Sequence, residues 1–162
     1  MKNYLTLFLL LFAATAFAQT DFTKISTGSV EDCKAAEPQV LEAANLILSK
    51  PVNDAGLKDA RSFLIRWMTS TEYTFTLDNH IVDMSKKKGN ENLLAVFMAC
   101  QAKYLLEHKD DAKYSDVINV GAYTLLADYI ENTANGVAKN KETQKLLDAK
   151  KKGMIKDYVK GK

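Results

Sequence analysis

The chain has 162 residues, with 22 Lys or Arg against 20 Asp or Glu and 47% hydrophobic side chains. That length fits one ordinary domain, and the hydrophobic share, the two prolines and the net charge of +2 exclude a disordered polyelectrolyte. Seven scattered glycines form no phosphate-binding loop.

Met1 and Lys2 open the chain with positive charge, Tyr4 to Phe12 follow as an apolar run, and Ala16-Phe17-Ala18 fits the small-x-small pattern of a signal-peptidase site. Residues 1–18 are therefore expected to be a cleavable signal peptide, leaving Gln19 first. No cysteine stands at the cleavage point to carry a lipid. Beyond Ala18 no apolar stretch approaches the ~20 residues of a membrane span. A soluble protein exported by a bacterium, periplasmic or extracellular, is the expectation.

Residues 19–29 are polar and β-branched without helical period, and read as an extended lead. Residues 30–162 read as a single helical domain. Ser29 followed by Asp32 resembles a capping box, and Pro38 either starts a second helix in its first turn or kinks the first. Val40, Leu41, Ala44 and Leu48 form a stripe that Pro51 ends.

Asn53 is a plausible cap for the next helix, in which Leu57, Ala60, Leu64, Trp67 and Met68 recur at helical spacing. Residues 72–77 alternate as a strand would, yet a lone strand has no partner, so a loop and a short helix ending before Gly89 are predicted. Asn90 would cap a helix through about Glu107 bearing Leu93, Phe97, Cys100 and Tyr104. After the polar turn 108–111, the segment from Tyr114 through Val117, Ile118, Gly121, Ala122, Leu125, Leu126, Tyr129 and Ile130 keeps a helical rhythm. Glycine inside that stripe costs ~1 kcal/mol of helix propensity relative to alanine, which suggests close approach by a neighbouring helix. Asn135-Gly136 would end it, and a basic helix would run from about 140 to 158.

Five to six amphipathic helices must bury their stripes against one another, giving an all-α bundle or stacked helical hairpins. With Ala99, Tyr104 and Ala112 along it, the hairpin from Asn90 to Ile130 resembles a tetratricopeptide unit. The Trp-Leu-Gly pattern is absent and residues 38–68 do not repeat it, so the resemblance implies hairpin stacking and no family.

Export makes a Cys33 to Cys100 disulfide chemically possible, and closing a loop of that length would stabilise by ~4 kcal/mol on a chain-entropy estimate. The alternative is two free thiols, Cys100 in the core and Cys33 on a polar segment. Their separation excludes a CxxC redox centre. His80 and His108 lie in hydrophilic neighbourhoods, and a metal-assisted hydrolase would need them to converge with nearby acids. No catalytic motif accompanies them, and neither a catalytic residue nor a cofactor is assigned. Trp67, Tyr73 and Phe75 would form core or line an apolar groove.

Residues 137–162 hold nine lysines against Glu142, Asp148 and Asp157, while residues 19–136 carry 12 basic and 17 acidic residues. On the last helix Leu146, Leu147, Met154 and Tyr158 would share one face and Lys145, Lys152 and Lys156 the other. That basic face would suit an acidic partner or simply be solvated while the apolar face docks on the bundle. Nucleic acid is disfavoured by export. The reading is a non-enzymatic protein-interaction or structural module of the cell envelope. A metal-assisted hydrolase and a carrier of a small apolar ligand inside the bundle are the alternatives.

Overall fold

The computed structural model describes residues 20–111 and 113–161; the predicted signal peptide and Ala112 lie outside them. The fold is all-α. Among the described residues there are eight α-helices: α1 (Val30–Ala35), α2 (Glu37–Leu48), α3 (Lys58–Ser70), α4 (Asn79–Ser85), α5 (Leu93–Glu107), α6 (Ser115–Glu131), α7 (Lys141–Lys151) and α8 (Ile155–Val159). The excess over five to six has two local causes. Pro38 sits in the first turn of a separate α2 rather than within a kinked first helix. Gly153, at φ +69°, turns the chain between α7 and α8, so the basic segment is two helices.

The lead from Thr20 to Gly28 is non-helical, as its composition predicts, but it is anchored. Phe22 is buried and stacks on Phe63 at 5.5 Å, and Arg66 donates to its carbonyl at 2.9 Å. Ser29 caps α1 by accepting from the Asp32 amide. Asp54 rather than Asn53 caps the 3₁₀ turn leading into α3, while Asn53 donates to the Gly89 carbonyl. The alternating stretch 72–77 has no strand partner and forms the loop into α4.

α5 is the central element, packed against α2 on one side and α6 on another, with α3 against α2. Its buried residues, among them Leu93, Val96, Phe97, Ala99, Ala102 and Leu105, surround most of the helix, as expected of a helix enclosed by neighbours. α7 and α8 cover α6, and α4 packs between α5 and α7. Leu146, Ile155 and Tyr158 are buried there, so the basic C-terminal segment is part of the core.

Asn90 does not cap α5. It is fully buried, donates to the carbonyls of Met84 and Ala138 and accepts from the Ala138 amide, joining the α4–α5 turn to the strap before α7. α6 stops at Glu131, before a 3₁₀ turn over Thr133–Asn135 rather than at Asn135-Gly136.

Candidate functional site

The two histidines occupy different environments. His80, in the first turn of α4, places Nδ1 3.2 Å from Glu142 Oε2 on α7 and its ring 4.4 Å from that of Tyr158. Asp78 caps α4 and accepts the hydroxyl proton of Tyr123 at 2.5 Å. Burial, assisted by Asp78, pushes the Tyr123 hydroxyl far up, and burial does the same to Tyr158. For Glu142, burial raises its pKa but is outweighed by hydrogen bonds from Lys145 and His80, leaving it below the usual carboxylate range. The His80–Glu142 contact ties α4 to α7, His80–Tyr158 ties α4 to α8, and Tyr123–Asp78 ties α6 to the start of α4.

His108 ends α5, its Nδ1 2.9 Å from the Tyr104 carbonyl and its ring stacked on Tyr104 at 4.2 Å. That hydrogen bond places a proton on Nδ1, since a carbonyl only accepts. Among the described residues no three His, Cys, Asp or Glu side chains come together to hold a metal ion. The convergence required by a His80/His108 hydrolase is not formed.

Cys33 and Cys100 are separate free thiols in the structure. Cys33 is fully buried rather than free on a polar surface: its sulfur faces the Thr27 carbonyl at 3.8 Å, and Trp67 donates to its own carbonyl at 2.9 Å. Cys100 lies in the enclosed face of α5, where desolvation pushes its thiol well up. Both are therefore poor nucleophiles. Trp67 is core, with Tyr73 and Phe75 half-buried at 6.0 and 5.9 Å from it, so these rings do not form an open groove.

The basic face is only partly assembled. Lys145 pairs with Glu142, Lys152 is exposed in the turn before Gly153, and Lys156 projects from α8 toward a groove on α6. Met154, expected on the apolar face, is exposed.

That groove is open at the described surface. It has a volume of about 900 Å³ and lies between the end of α5, the start of α6 and α8. Tyr104, Val117, Val120 and Leu125 supply its apolar wall. Tyr114 and Val117, which the helical stripe places in the core, are instead 51% and 38% exposed. Gly121 lets α5 come close: a Cβ there would stand 2.2 Å from the Tyr104 ring. α6 begins without a side-chain cap.

Lys113, Lys156 and Lys160 stand around the groove, and none forms an ion pair with a described carboxylate. Lys113 lies 5.2 Å over the Tyr114 ring. Of the two acids present, Glu107 is held by Lys103, and Asp116 sits in the first turn of α6, where the positive end of the helix favours it. Sequence reasoning selects Lys156 but misses Tyr104, Lys113, Tyr114, Val117 and Lys160. The available signals are the Lys113-Tyr114 pair, the i, i+4 spacing of Lys156 and Lys160, and the glycine at 121. Compared with protein-family models, curated proteins and solved structures, the chain shows no match, and the groove's chemistry carries the functional argument alone.

Proposed function

We propose that this protein is an exported, non-enzymatic binding domain that carries a small ligand in the groove between α5, α6 and α8. The observation that carries the reading is the groove itself: about 900 Å³, within the ~300–1,000 Å³ usual for small-molecule sites, with exposed Tyr114 and Val117 on its wall. This moves the carrier reading from the interior of the bundle, where Trp67, Phe97, Tyr123 and Leu126 fill the space, to its surface. We also read α2 with α3, and α5 with α6, as stacked hairpins, because α2 meets both α3 and α5. The amino-terminal signal pattern supports export to the cell envelope or beyond.

A protein partner in the envelope is the second reading. Lys151 and Lys152, exposed beyond the groove, favour it by extending the cationic surface.

Native mass spectrometry of the protein isolated from its own exported fraction tests the carrier reading. A small-molecule adduct, absent from a Val117→Arg variant that blocks the groove, is expected. Bare protein from every preparation, or an adduct unaffected by Val117→Arg, would contradict it.

A further inference from the structure

We propose that the groove binds a free, single-chain amphipathic anion, an aliphatic carboxylate of about a dozen carbons, with its chain along α6 and its head among Lys113, Lys156 and Lys160. The proposal rests on the carrier reading and specifies its ligand.

Dimensions set the chain. From Tyr114 to Leu125 the α6 backbone advances ~16 Å at 1.5 Å per residue. An extended carbon chain advances ~1.2 Å per bond, so about a dozen carbons cover ~13 Å and lie within that length. Val117, Val120 and Leu125 offer that chain an apolar surface, and methylene groups leave water to reach it.

Charge sets the head. On the C-terminal segment Lys145 is neutralised by Glu142 and Lys150 by Asp128 and Glu131, while Lys151 and Lys152 are exposed away from the groove. At the groove three lysines stand without a described carboxylate partner, so a carboxylate would complete pairs that the chain leaves open. A neutral amphiphile gains nothing from them, and a cationic one is repelled. Fourteen residues line the groove, fewer than the ~20–30 per side of a stable protein interface, which favours a small ligand over a protein partner.

Isothermal titration of the purified exported protein with sodium dodecanoate below its micelle concentration is the test, beside dodecyltrimethylammonium and phosphatidylglycerol vesicles. Saturable 1:1 binding of dodecanoate is expected, at least tenfold tighter than the cationic analogue and without vesicle cosedimentation. Lys156→Glu with Lys160→Glu should weaken binding tenfold or more with the helical circular dichroism unchanged; Lys113→Gln, a milder variant, should weaken it by a smaller factor. Equal affinity for the cation, equal affinity in all the variants, or binding to vesicles alone would overturn the proposal. If dodecanoate fails to bind while an adduct sensitive to Val117→Arg persists in native mass spectra, the ligand class falls and the carrier reading stands. Absence of both would remove both.

Discussion

The ring of Tyr104 occupies the space in which a side chain on residue 121 would begin, 2.2 Å from an ideal Cβ on Gly121. Three ring atoms, including the one attached to Cβ, fall within 2.5 Å, so a small swing of the ring tip does not relieve the clash. Gly121→Ala gains ~1 kcal/mol of helix propensity and meets an overpacking cost of ~1–3 kcal/mol. A net loss of stability in urea unfolding is predicted, and adding Tyr104→Ala should recover much of the clash component. A more stable single variant would show that α5 and α6 are not this close.

Asn90 is fully buried and makes three hydrogen bonds to Met84 and Ala138. Asn90→Ala strands the carbonyl and amide of Ala138, while the Met84 carbonyl keeps the Asn140 side-chain amide, and a loss of about 2–3 kcal/mol is expected from equilibrium unfolding. Asn90→Asp should be at least as damaging, because it exchanges the donor for an acceptor facing two carbonyls. Near-neutral results for both would place residue 90 in solvent, as a simple helix cap would be.

These two residues also show what the sequence makes legible. Ala60, Leu64 and Trp67 identify the buried face of α3 because helical periodicity is local and burial follows it. Gly121 announces a close contact but does not name Tyr104. Asn90 has the local appearance of a cap, yet its partner Ala138 is 48 residues away and its role is tertiary. Tyr114 and Val117 continue the apolar rhythm of α6 beyond the point where neighbouring helices cover it, so periodicity overstates their burial. The groove arises from that mismatch, and its lysines come from segments over 40 residues apart.

Glu142 is held ionised by Lys145 and His80, against the effect of burial, in a cluster that also contains Tyr158, with Asp78 and Asp83 nearby. Its folded pKa lies below the unfolded value of ~4.3. Between those two values the unfolded chain binds more protons, so the stabilisation is present above the unfolded pKa and is lost as pH falls through the folded one. Urea midpoints should fall between pH 6 and pH 3, with a smaller fall in Glu142→Gln. An identical pH dependence in the variant would show that the ion pairs of Glu142 contribute nothing to acid sensitivity.

Cys33 and Cys100 are both buried and unbridged. Alkylation of native protein is therefore predicted to be slow, and denaturation without reductant should expose two thiols, each adding one label by mass. Zero labels until a reductant is added would establish a disulfide and require α1 and α5 to meet at these residues.

Binding of an aliphatic carboxylate in the α5–α6–α8 groove is tested most directly by isotope-filtered nuclear Overhauser spectra with dodecanoate. Cross-peaks from the ligand's methylene protons to the methyl groups of Val117, Val120 and Leu125 are predicted, with none to the fully buried methyls of Leu64 or Ile47. Saturable binding with cross-peaks only to methyls outside the groove, or no bound ligand at all, would contradict it.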